Sequence, residues 1–239
     1  MNVIRDTWTQ NDYSKFLNYL YSLADEKYRI FNSSLVPGCA DMIIGVRIPK
    51  LRRIAKDIAK GNGHSFIECE KGITNEEIII DGLVRAEYSK TYEEISKNIY
   101  VFVKRIKNWA VNDVVKFNNI KKCREEFRDD LSVLLSSGRE WETRYGLKIL
   151  MDFYLDDTYI DYALSQTLAI RSDAYYVCAM QGWLLATAAV KYGGRVEDLI
   201  RSGALEKKAA VMAADKIRDS RRISGDFKEM IRQIVKTGK

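Results

Sequence analysis

The sequence predicts an all-α fold, an α-α solenoid of degenerate helical pairs. Apolar residues recur with helical period along almost the whole chain, and no run shows sustained two-residue alternation. Only 2 prolines, Pro37 and Pro49, interrupt 239 residues, which favours long helices over rigid turns. The helices read as pairs repeating at a spacing of roughly 30–45 residues, the period of stacked helical repeats.

The elements follow in order. Over residues 11–24, Tyr13, Phe16, Leu17, Leu20 and Leu23 fall on one stripe, and a loop is expected over 32–40 around Gly38. Pro49 suits a helix's first turn, and LRRIAKDIAK follows until Gly61 and Gly63 end it. Asn75 is expected to cap EEIIIDGLVRAEY. Its Ile78–Ile80 run is β-friendly but sits between helical flanks. Thr91 and Glu94 form a capping box in front of YEEISKNIYVFVKRI. Further helical patterns cover about 109–118, 122–136, 139–153, 157–170, 173–191, 206–218 and 226–237. The best candidate break, at Gly193–Gly194, is too short for a linker, so one domain over 1–239 is expected.

Charge and composition narrow the function. The hydrophobic share of 46% supports a sizeable core, and the net charge of +6 is concentrated at one end. Residues 201–239 hold 11 Lys/Arg and 5 Asp/Glu, so the tail alone carries +6 and residues 1–200 balance. A basic end on a neutral body suits a polyanion, although a solvated lysine-rich helix would look the same. The four cysteines form no CxxC or CxxH pair, and His64 is the sole histidine, so a zinc site, a disulfide framework and histidine-based catalysis are disfavoured. No phosphate-binding glycine loop occurs. The start of the chain has no apolar run of the secretory kind, and no stretch is long enough to span a membrane, which predicts a protein of the cytosol or nucleoid.

Four segments carry possible chemistry. In Lys107–Asp113, Trp109 and Asp113 are four residues apart and share a helix face. An indole face beside a carboxylate is a receptor for a cation. The plainer reading makes Trp109 core and Asp113 a surface acid. In Glu140–Tyr145, Arg144 can meet a phosphate or pair locally with Glu140. In Asp173–Trp183, Tyr175, Tyr176 and Trp183 lie on one helix about two turns apart; Trp183 suits a sugar or base contact, or the core, since Leu184 and Leu185 follow it. In Lys207–Ser224, the stripe Ala210, Val211, Ala214 and Ile217 leaves Lys207, Lys208, Lys216, Arg218, Arg221 and Arg222 outside it, with Ser220 nearby, a pattern suited to a DNA backbone.

Taken in order, these segments resemble the DNA alkylation repair (AlkD-like) family. The likeness begins at Ile44-Gly45-Val46-Arg47-Ile48-Pro49 with Leu51-Arg52. It continues through Asn108-Trp109 with Asp113, Glu142 with Arg144, Asp173 with Tyr175-Tyr176-Val177 and Trp183, and ends at Lys216-Ile217 with Ser220. The resemblance implies a HEAT-like repeat superhelix that acts, as a monomer without metal or cofactor, on duplex DNA carrying alkylated bases. It implies a DNA glycosylase of base excision repair that excises cationic N3- and N7-alkylated purines. Carried over, Asp113 would be the catalytic carboxylate, Trp109 and Trp183 would contact the lesion's deoxyribose, and Arg144 would hold the backbone. Arg47, Arg52, Lys207, Lys208, Lys216, Arg218, Ser220, Arg221 and Arg222 would contact DNA. Val111-Asn112 departs from the family's pattern, Cys178, Ala179 and Met180 lack a basic residue common there, and Ala186 or Thr187 stands in place of an arginine. These departures predict a weaker grip on one side. Two other readings stay open: a non-catalytic helical-repeat protein binding distorted or branched DNA, and a protein-binding scaffold.

Overall fold

The computed structural model describes residues 1–237. Among them the regular elements are helical throughout, as predicted, and the chain folds into two compact units, Met1–Phe127 and the part from Arg128 onward.

The first unit is built around one buried helix. It contains α1 (Gln10–Ser22), α2 (Glu26–Leu35), α3 (Ile48–Lys60), α4 (Gly63–Glu68), α5 (Asn75–Tyr88), α6 (Tyr92–Val103) and α7 (Trp109–Val114). Every residue of α5 from Asn75 to Arg85 is buried, and α3, α4, α6 and α7 pack around it. The isoleucine cluster is therefore helical core; burial on all sides, rather than β-propensity, explains its composition. Thr74, not Asn75, caps α5: its side chain accepts from the Glu77 amide while Glu77 reaches back, completing a capping box. Asn75 is thereby released for another task. Thr91 and Glu94 form the expected box on α6.

Three local expectations change. Residues 32–35 belong to α2, which Asp25 caps through the Tyr28 amide. No residue of α2 is buried, so the core-facing stripe that signals a helix is missing from its sequence. Gly61 ends α3, but Gly63 begins α4 behind the cap Asn62. The pattern at 109–118 shrinks to the six residues of α7, followed by a 3₁₀ turn at Asn118–Lys122.

The second unit holds α8 (Arg128–Ser136), α9 (Glu140–Phe153), α10 (Ile160–Ala169), α11 (Tyr175–Arg201), α12 (Lys207–Asp219) and α13 (Gly225–Thr237). Helix α11 is its spine, packed by α9, α10, α12 and α13. It runs well past the expected end at 191, with a non-helical Tyr192 (φ −121°, ψ 42°) just before Gly193–Gly194. The suspected break is thus a kink between two helical segments. Lys191 and the Tyr192 hydroxyl both bond Asp157, and Arg195 bonds Asp161, on either side of it. At Gly182 an added Cβ would come within 2.8 Å of the Met212 backbone, so glycine permits the close crossing of α11 and α12.

Gly45 combines a positive φ with close packing. Its φ of +100° lies outside the reach of L side chains, and a Cβ would sit 2.7 Å from the Arg29 Cβ. Gly45→Ala is expected to destabilise the protein by about 1–3 kcal/mol, measurable by urea unfolding. An unchanged midpoint would refute the requirement.

Candidate nucleic-acid interface

Two adjacent residues at the start of α5 organise the surface around α7. Glu76, only 2% exposed, accepts three backbone amides from the strand-like entry to α3: Ile44 at 3.0 Å, Gly45 at 2.7 Å and Val46 at 3.1 Å. A carboxylate that is acceptor-only suits a run of donors, and burial strengthens each bond. Asn75 accepts from the Asn108 amide group at 2.9 Å. Asn108 in turn caps α7 by accepting from the Val111 amide.

Helix α7 is then pinned at both ends. At its start the Trp109 indole N–H donates to the Leu35 carbonyl at 3.2 Å, tying it to the end of α2. At its finish Arg52 on α3 donates to the Val114 carbonyl at 2.9 Å. A six-residue helix has little stability of its own, so these ties fix its orientation. Both Trp109 and Asp113 are half-buried, leaving part of each surface open to solvent.

The basic residues near this helix divide into two kinds. Arg47 is exposed, but it pairs with Asp25 at 2.8 Å and lies 5.0 Å from the Tyr28 ring centre. The Tyr28 amide and the Arg47 guanidinium together hold the Asp25 carboxyl below its ordinary value. Along α3, Arg53, Lys56 and Lys60 join Arg52 in lining a shallow depression of about 440 Å³, with Asp57 as its one acid, paired to Lys60. The sequence expectation omitted Arg53 and Lys56. Their i, i+3, i+7 spacing through Lys60 marks one helix face, the signal that would have found them.

In the second unit Arg144 is 5% exposed and donates to the Tyr176 carbonyl at 2.8 Å, its guanidinium 5.9 Å from the Tyr176 ring centre. Glu140 accepts from the Tyr176 amide at 3.1 Å, while Glu142 pairs with Arg139. Trp183 is 40% exposed, so the core reading of it fails; the neighbouring leucines face inward instead. Lys208 donates to the Asp173 carbonyl at 2.6 Å. Arg218 is held by Asp215 and Asp219. Ser220 ends α12, and its hydroxyl accepts from the Arg222 amide. Lys207, Lys216, Arg221 and Arg222 are exposed and meet no acidic partner among the described residues.

Among the described residues no group of three or more His, Cys, Asp or Glu side chains is placed to hold a metal, and no helix is long and apolar enough to cross a membrane. Helical pairs whose exposed faces carry aromatic and unpaired basic side chains define a helical-repeat protein suited to nucleic acid. The chain belongs to the DNA alkylation repair enzyme family, whose model matches residues 19–222. No curated protein and no solved structure matches it. Its role is accordingly in the repair of alkylated DNA.

Proposed function

We propose that the protein is a DNA glycosylase that releases cationic N3- and N7-alkylated purines from duplex DNA. The observation that carries this reading is α7: an indole and a carboxylate one turn apart on a short helix, pinned at both ends and half open to solvent. Pre-ordered charge of this kind lowers a barrier without reorganisation at the moment of reaction.

The chemistry follows from the lesion. Alkylation leaves the purine positively charged, so it is already a good leaving group. As the C1′–N bond breaks, its electron pair goes to the base and neutralises it, while positive charge develops on the sugar. Asp113 stabilises that sugar cation and orients a water, whose oxygen bonds C1′ and whose proton is lost to solvent. The Trp109 ring face favours the same charge by its quadrupole. In the second unit Trp183, 40% exposed, offers an open indole of its own for contact with DNA. Arg144, buried and bonded to the Tyr176 carbonyl, orders the start of α11 rather than reaching the DNA backbone itself.

Backbone grip is assigned to Arg52, Arg53 and Lys56 in the first unit and to Lys207, Lys208, Lys216, Arg221 and Arg222 in the second. Arg47, Arg218 and Ser220 contribute less, because acids neutralise the two arginines and the Arg222 amide occupies the serine hydroxyl. Cation-to-phosphate contacts release counterions, so affinity falls with salt. Arg221→Ala with Arg222→Ala is expected to lower the slope of log K against log salt by about two, measured by fluorescence anisotropy. An unchanged slope removes these arginines from the interface.

The experiment that tests the function is release of N7-methylguanine from a defined duplex by the wild-type protein. Release supports the glycosylase. Salt-dependent DNA binding with no release supports a non-catalytic reader of distorted DNA, the reading favoured by the absence of a cation at Cys178, Ala179 and Met180.

A further inference from the structure

Helix α11 exposes one narrow stripe. From Tyr175 to Val190 the positions at least partly open are 175, 176, 179, 183, 187 and 190, and every position between them is buried. The stripe begins with two tyrosines and carries Trp183 seven residues after Tyr176. Seven residues are almost two full turns, so Tyr176 and Trp183 share a face about 10 Å apart along the axis. Nothing in the proposed chemistry uses the tyrosines.

Their surroundings form a cluster. Tyr175 is 58% exposed and meets Tyr176 edge-on, ring centres 5.1 Å apart and planes at 86°. Trp141, from the first turn of α9, lies on the other ring at 4.9 Å and 35°. The cluster is fixed through the backbone: Glu140 takes the Tyr176 amide and Arg144 gives to its carbonyl. Lys208 is drawn beside it by the Asp173 carbonyl, the residue two before Tyr175. Of the three acids in these segments, Glu140 is engaged by the Tyr176 amide, Glu142 pairs with Arg139 and Asp173 is exposed.

We infer that Trp141, Tyr175 and Tyr176 form a stacking platform for an unpaired nucleobase of a DNA strand, with Lys208 beside it for the strand's phosphate. Rings ordered in advance lose little entropy on stacking, and every base has a π-face, so such a platform is tolerant of sequence. Tyr175, more than half exposed, is joined by Tyr176 and Trp141 into one contiguous aromatic surface, which a flat partner can cover. The inference rests on the reading that the chain handles damaged DNA, in which a helix-distorting lesion leaves a base unstacked, but it does not need the glycosidic chemistry.

The test compares two fluorescein-labelled duplexes, identical except that one carries a single unpaired thymine, by anisotropy at fixed salt with the full chain. Wild type is expected to prefer the bulged duplex. Tyr175→Ala and Tyr176→Ala should each weaken binding to it about fivefold or more and leave the paired duplex within about twofold. Both substitutions spare the backbone bonds to Glu140 and Arg144, and Tyr176→Phe, which keeps the ring, should retain the preference. Quenching of tryptophan emission by the bulged duplex should be reduced in Trp141→Phe. No preference in wild type, or equal loss on both duplexes, overturns the platform. Release of N7-methylguanine by the same proteins separates the two readings: release with no bulge preference sinks the platform alone, and preference without release sinks the glycosylase alone.

Discussion

Asp113→Asn is expected to reduce release of N7-methylguanine by about 10²–10³-fold while the thermal midpoint and duplex affinity stay near wild type. Asparagine preserves shape and hydrogen-bonding reach but removes the negative charge. The charge matters only as positive charge builds on the sugar, so the loss falls on the rate of release rather than on binding. The position is half-buried on a surface helix, so the isosteric change leaves packing intact. A single-turnover assay with enzyme in excess reads the chemical step directly. Wild-type rates in the variant would remove Asp113 from the mechanism, and a matching fall in thermal midpoint would reassign the effect to folding. Trp109→Phe makes a useful companion: it keeps a ring face but removes the N–H that binds the Leu35 carbonyl, so it reports on how much the pinning of α7 contributes.

Glu76→Ala is expected to have the largest effect on stability, a loss of about 3–5 kcal/mol. Three buried amides at 44, 45 and 46 lose their acceptor at once, and alanine leaves no room-filling polar group to replace it. For a chain of this size the thermal midpoint should fall by roughly 10 °C, read by circular dichroism. Glu76→Gln retains one acceptor oxygen but turns an amide toward a donor, so an intermediate loss is expected. The effect should also reach the site, because the segment Glu76 holds leads directly into Arg47 and the basic face of α3. A midpoint within about 1 °C of wild type in the alanine variant would show that water satisfies these amides, and the organising role of Glu76 would be lost.

The sequence by itself determined the helical character of the chain, the Thr91–Glu94 capping box, the shared face of Trp109 and Asp113, and the basic end. All of these are local. A capping box spans three residues, an i, i+4 pair spans one turn, and net charge needs no coordinates. The resemblance through Asn108-Trp109 and Asp113 was legible for the same reason, and the family match over 19–222 agrees with it. Trp183 was ambiguous because its leucine neighbours pointed to the core; only the packing of α11 shows that the stripe turns it outward.

Tertiary structure decided the rest, at sequence separations that no periodicity can carry. Asn75 reads as a cap, yet it holds Asn108 across 33 residues because Thr74 has taken the capping role. Glu76 reads as an acid of a helix's first turn, yet it binds amides about 31 residues away. Trp109 is tied to Leu35 across 74 residues, at the end of a helix that left no core-facing pattern in the sequence. Arg144 reads as a phosphate contact or a local partner of Glu140, but the Tyr176 carbonyl 32 residues on has drawn it inward. A buried polar group must find a partner wherever the fold places one, and hydrophobic pattern fixes which face is buried without fixing what lies against it. The pattern therefore wrote the helices, and their packing chose which polar residues would position α7 and which aromatic rings would stay open.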